Sequence, residues 1–167
     1  TWSVLSLFLF ASIFAAAQRS PFTGVEVPSL DSSGHYRLII SGHFHGSSTD
    51  RSGYPAATLL ANLDRVNALA PAVLISTGDL FMDPDRDSAR YTRSLFERLQ
   101  LPLFNAPGNH DRHGSAYHNA SDCPVIIQRG PDRIVVLDTE RDDSDITGDQ
   151  LEVLEQAARD AAAGGLR

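Results

Sequence analysis

Two short polar stretches carry residue types able to do chemistry: Ser76-Thr77-Gly78-Asp79 and Pro107-Gly108-Asn109-His110-Asp111, each following an apolar run. An earlier apolar run leads into Gly42-His43-Phe44-His45. A carboxylate, a neutral amide oxygen and imidazoles form the mixed oxygen and nitrogen set that binds divalent cations, and paired cations suit phosphoryl chemistry. A lone Gly-Asp dipeptide would carry almost no signal. Three polar clusters, each ending a successive apolar run, carry a good deal more.

The elements that must position these clusters follow from periodicity. Tyr36 to Ser41 and Ala72 to Ser76 read as strands buried on both faces, and Leu101 to Asn105 as a shorter one. Between the first two, Pro55 opens a helix with Leu59, Leu60, Leu63, Val66 and Leu69 at helical spacing, stopped by Pro71. Between the second and third, Asp87 or Ser88 caps a helix carrying Tyr91, Leu95 and Leu99. The order βαβαβ predicts a parallel sheet with right-handed crossovers, and about thirty residues between clusters is one crossover each. In such sheets ligands bind beyond the carboxyl ends of the strands, where all three clusters fall. Val125 to Ile127 and Ile134 to Leu137 then predict a hairpin across Gly130-Pro131-Asp132. Thr147 and Gln150 predict a capping box for a last helix carrying Leu151, Leu154 and Ala158.

Composition fits one globular domain: 167 residues, 42% hydrophobic, with a net charge of -7 that argues against a nucleic-acid groove. Any bound phosphate would be held through cations. The apolar stretch from Trp2 to Ala17, ending in three alanines before Gln18-Arg19-Ser20, reads as a secretory signal peptide. A membrane anchor and a buried core helix are the rival readings. On the signal reading the mature chain keeps no stable membrane span and is secreted or periplasmic. The divisions are then residues 1–17 as signal, 18–34 as an extended lead-in and 35–167 as the domain. The absent Met and basic leader predict a sequence cut at its amino end. Cys123 is the single cysteine and reads as a small buried hydrophobe.

The ordered motifs resemble the calcineurin-like metallophosphoesterase family, whose pattern runs D-x-H, G-D, G-N-H-D at similar intervals. The resemblance covers roughly His35 to Arg167 and includes Arg133-Ile134-Val135-Val136-Leu137-Asp138-Thr139, similar to the family's strand ending in L-D. It implies an α/β fold: an αββα metallophosphoesterase-like sandwich, incomplete here, with the βαβαβ sheet followed by a hairpin and a helix. It implies two divalent metal ions, manganese, iron or zinc, and a phosphate monoester or diester as substrate. Asp79 would bridge the metals, His45 would ligate the first and Asn109 the second. His110, oriented by Asp111, would face the phosphoryl oxygens or protonate the leaving oxygen.

Two departures stand against this. His43 occupies the place of the family's first Asp, so it either ligates in its stead or points away and leaves the first metal weak. No histidine follows His118, whereas the family draws further ligands from later strands, so the chain reads as truncated at its carboxyl end, with weak activity or none. A non-catalytic module with a degraded site and a mononuclear zinc site of His43, His45 and Asp79 are the alternatives. His113 and His118 are weaker substrate candidates, and His35 reads as surface. Asp83, Asp85 and Asp87, with Arg86 and Arg90, read as a solvated, helix-capping charge cluster. Asp142, Asp143 and Asp145 read as a loop, since the glycine and final Glu of a calcium loop are missing.

Overall fold

The structure is a computed structural model describing residues 18–32, 34–47, 49, 52–113, 123–165 and 167. The predicted signal segment and His118 lie outside the described residues. Three strands, β1 (Leu38–Ser41), β2 (Val73–Ser76) and β3 (Leu103–Asn105), form a parallel sheet in the order β1-β2-β3. The register sets Ser41 against Ser76 and Ser76 against Asn105, so the three strands end level. A second, antiparallel sheet pairs β4 (Val125–Arg129) with β5 (Asp132–Val136).

Alternation along β2 and β3 divides the core. Leu74 and Leu103 face one way, into a cluster with Leu63, Leu80, Tyr91, Leu95 and Phe96 from the crossovers. Val73, Ile75 and Phe104 face the other way, against Ile127 of β4 and Val136 of β5. Each fully buried leucine contributes about 2 kcal/mol, and the sheet is held from both sides by such contacts. The two-faced burial predicted for β1 is not met. Ile39 packs with the crossover helices, but Leu38 and Ile40 are exposed, Ile40 at 64%. The hairpin covers β2 and β3, and leaves this edge strand's outer face open.

The crossovers are less regular than predicted. The first is two short helices, α1 (Ala57–Ala61) and α2 (Leu63–Ala68), broken at Asn62. The Asn62 side-chain amide donates to the Thr58 carbonyl at 2.8 Å, the local competition with the backbone that makes Asn a poor helix interior residue. The second begins four residues before the predicted cap. In α3 (Pro84–Tyr91) Asp83 is the cap, accepting from Arg86 N at 3.1 Å, with Pro84 in the first turn. A π-helical turn, Thr92–Phe96, follows.

Asp87, predicted to be solvated, is fully buried. It accepts from Asp83 N at 3.1 Å and binds Arg86 Nε at 2.5 Å, and Gly53 lies so close that a Cβ there would meet its Oδ1 at 2.6 Å. Residues ahead of β1 also join the core. Ser20 Oγ donates to Leu103 O at 2.6 Å and accepts from Leu103 N at 3.1 Å, and the Phe22 ring packs at a tilt against Phe96.

The last helix, α4 (Gly148–Ala163), has Thr147 at its cap without the predicted capping box. The Thr147 hydroxyl donates to Asp142 at 3.0 Å instead. Gln150 is buried and clamps the chain after β5, accepting from Asp138 N at 2.7 Å and donating to Asp138 O at 2.9 Å. The buried side of α4 is therefore Gln150 and Ala157, while Leu151 and Leu154 face solvent. Cys123 is half-buried and borders the hairpin-side core. Among the described residues no helix is long and apolar enough to cross a membrane.

Arg133 of β5 and Asp160 of α4 form an ion pair that ties helix to hairpin. The guanidinium, with Gln156 second, holds the Asp160 carboxyl below its ordinary value of 3.8. A depressed carboxylate stabilises the fold above the unfolded value, and that contribution is lost as pH falls through the lower folded value. Asp160→Asn is therefore expected to lower the denaturation midpoint at pH 7 and to match wild type at strongly acid pH. Equal differences at both pH values would exclude the ionic contribution.

Candidate metal centre

Each parallel strand delivers one loop to the same rim. The loops meet so closely that side chains are excluded at their contact points. A Cβ on Gly42 would lie 2.6 Å from Thr77 Oγ1, and one on Gly108 2.5 Å from Asp79 N. Gly78, at φ +107°, would place its Cβ 3.1 Å from Gly108 Cα. The glycines of the sequence motifs are thus required by backbone against backbone packing as well as by turn conformation. His43 N donates to Gly78 O at 3.0 Å, joining the first loop to the second. His110 N donates to Asp79 Oδ1 at 3.3 Å, joining the third to the second.

Within this frame His43, His45 and Asp79 each present a ligand atom, all within 4.8 Å of one another. His43 Nδ1 is 3.2 Å and His45 Nε2 3.7 Å from the same oxygen, Asp79 Oδ2. His45 is 2% exposed, and neither of its ring nitrogens has a hydrogen-bond partner among the described residues. A neutral imidazole buried with both nitrogens unpaired forfeits its donor and its acceptor, and a cation would engage one of them. The His43 side chain is 72% exposed, covering the group from the solvent side. His43 and Asp79 sit at φ 55° and 54°, a conformation that costs about 1 kcal/mol per non-glycine residue, so the aim of both side chains is set against local preference.

The other predicted site residues divide. The His110 ring is 5.2 Å from that of His45, with His113 a further 6.5 Å along, so His110 borders the group. Its Nδ1 is 3.3 Å from the Met82 carbonyl, which only accepts, so a hydrogen bond there places the proton on Nδ1. Asn109 is exposed at the tip of the loop whose Gly108 touches Asp79.

Asp111 faces inward and away from the role of orienting His110. Its carboxylate accepts from Phe81 N at 2.9 Å, Asn105 Nδ2 at 2.9 Å and Gly108 N at 3.0 Å. Burial pushes its carboxyl above the ordinary value although these three donors pull the other way. It is a knot holding the second and third loops together.

Sequence reasoning gave no role to Asn105, the last residue of β3, nor to Arg112, which pairs with the buried Asp138 and so moors the third loop to the chain beyond β5. A polar residue closing an apolar strand was the only available signal for Asn105.

Asp111→Ala removes the buried acceptor of three inward donors and is expected to destabilise the fold by about 3 kcal/mol. Chemical denaturation measures this. A variant of wild-type stability would return Asp111 to a purely chemical role.

Compared with protein-family models, with curated proteins and with solved structures, the chain matches none of them.

Proposed function

We propose that this chain is a metal-dependent phosphoesterase domain of the calcineurin-like type, acting on a phosphate monoester or diester. The observation that carries the reading is buried His45, its ring nitrogens without a hydrogen-bond partner among the described residues, beside Asp79 and His43 on the carboxyl rim of a parallel sheet. The donor set fits a divalent cation: two imidazoles and a carboxylate suit zinc, iron or manganese. The layering of crossover helices, parallel sheet, hairpin and α4 supports the αββα sandwich. The apolar segment at residues 1–17 supports export.

His43, His45 and Asp79 would hold the first metal, and Asp79 with Asn109 a second. Bound there, such ions lower the pKa of a water and neutralise charge on phosphoryl oxygens. The protein's own groups do the rest. His110, with Nδ1–H held by the Met82 carbonyl, would in its doubly protonated form present Nε2–H to the leaving oxygen and be left as the neutral Nδ1–H imidazole. The Asp111 knot fixes the loop on which His110 is carried.

A second reading has its own support. Both imidazoles face Oδ2 of Asp79, while Oδ1 receives the His110 amide, an arrangement suited to one ion and a mononuclear zinc site. Metal content after equilibration with zinc or manganese separates the two. Two ions per chain, with one lost in Asn109→Ala, is expected on the binuclear reading; one ion, indifferent to Asn109, supports the mononuclear one. Asp79→Asn is expected to lower metal affinity at least about tenfold and to abolish aryl phosphate hydrolysis. If Asp79→Asn changes neither, the rim is vestigial and the domain is a binding module.

A further inference from the structure

The opposite rim, where β1 and β2 begin, holds a cavity of about 560 Å³ lined by Asp31, His35, Tyr36, Arg37 and Arg129 among others. Arg129 closes β4 and is 4% exposed, yet its Nε has no hydrogen-bond partner among the described residues. Its guanidinium carbon stands 5.1 Å from the centre of the Tyr36 ring. The carboxylate opposite it in the hairpin ladder, Asp132, is already engaged: Oδ2 accepts from Tyr36 Oη at 2.7 Å and Oδ1 binds Arg167 Nε at 2.9 Å.

A buried guanidinium cannot relieve its position by losing a proton, as a buried Lys or His does. The ring face of Tyr36 offsets part of the charge, but a ring provides no acceptor in the guanidinium plane. Burial and the Asp132 carboxylate raise the Tyr36 hydroxyl, so it stays protonated as the donor that holds Asp132 away. Arg37, exposed on the same cavity with Nη1 donating to Leu69 O at 3.2 Å, adds a second positive charge against the one carboxylate of the lining, Asp31.

We infer that this cavity binds a small oxyanion, the carboxylate or phosphate group of a small molecule, against Arg129, at a site separate from the metal centre. The planar guanidinium fork matches both groups, and Arg37 would close over the ligand from the solvent side. The inference stands apart from the phosphoesterase reading, because no metal takes part.

The test is titration of chelator-treated protein with inorganic phosphate and, separately, with succinate, read by calorimetry and by the NMR signal of the Arg129 side-chain Nε–H. One saturable site that shifts this signal is expected for at least one probe, and the tighter probe identifies the group. Arg129→Gln is expected to weaken binding at least about tenfold, Arg129→Lys to keep part of it, and the exposed Arg37→Gln to weaken it less. Should neither probe saturate or move the Nε–H signal in the wild-type chain, the inference is overturned without recourse to any variant. Binding that survives Arg129→Gln undiminished would overturn it equally. Because metal is excluded throughout, failure here leaves the metal reading intact.

Discussion

The contact between Gly78 and Gly108 is the constraint on which the rim depends. Two loops from adjacent parallel strands approach so closely that a methyl group on Gly108 would collide with the Asp79 backbone and one on Gly78 would crowd Gly108. That approach is possible because β2 and β3 end in register, Ser76 beside Asn105, and leave the sheet together. It has a direct consequence for chemistry. Asp79 follows Gly78 immediately, so the same packing that excludes side chains at the glycines delivers a carboxylate to the only space left, facing the loop after β1. The convergence of Asp79 with the two histidines at this rim is thus a consequence of backbone packing first and of side-chain identity second.

Strain and burial keep that carboxylate in place. Asp79 and His43 both take left-handed backbone conformations, which residues with short polar side chains or imidazole tolerate better than most. A conformation that costs free energy persists only when its surroundings over-determine it. Here the surroundings are the Asp111 knot below and the His43 to Gly78 hydrogen bond beside it. Asp111, which sequence patterning assigns to the orienting of His110, is in the fold an acceptor that ties the loops together. The two roles are hard to tell apart from sequence because a carboxylate in a Gly-rich loop accepts backbone amides as readily as it orients a histidine.

The parallel sheet, its crossovers and the hairpin were legible because apolar runs of strand length stand between clear turn residues, and Ile75, Phe104 and Ile127 sit where alternation requires. His43, His45 and Asp79 were legible as neighbours from topology alone. What escaped the sequence is what depends on partners far along the chain. Asp87 looked like a surface cap until Arg86, Asp83 and the bare backbone at Gly53 closed around it. Thr147 and Gln150 had the spacing of a capping box, but Asp138 competed for Gln150 and won with two hydrogen bonds in a buried place. Local patterns predict local pairings, and a buried backbone amide that lacks any other partner outweighs them.

The two ends of the sheet present opposite deficits. At the carboxyl end, two imidazoles and a carboxylate converge, and neither ring nitrogen of buried His45 has a hydrogen-bond partner among the described residues. At the amino end, a guanidinium is buried beside an aromatic ring with its Nε lacking a hydrogen-bond partner among the described residues. Neither arrangement arises from packing efficiency, since an apolar residue of similar volume at position 45 or 129 would fill the space without leaving polar atoms unsatisfied. Uncompensated polar groups in a core are retained against their free-energy cost when something outside the chain completes them. On that argument the two proposed ligands differ in sign: a cation would complete the lone pairs at one rim, and an anion the guanidinium at the other.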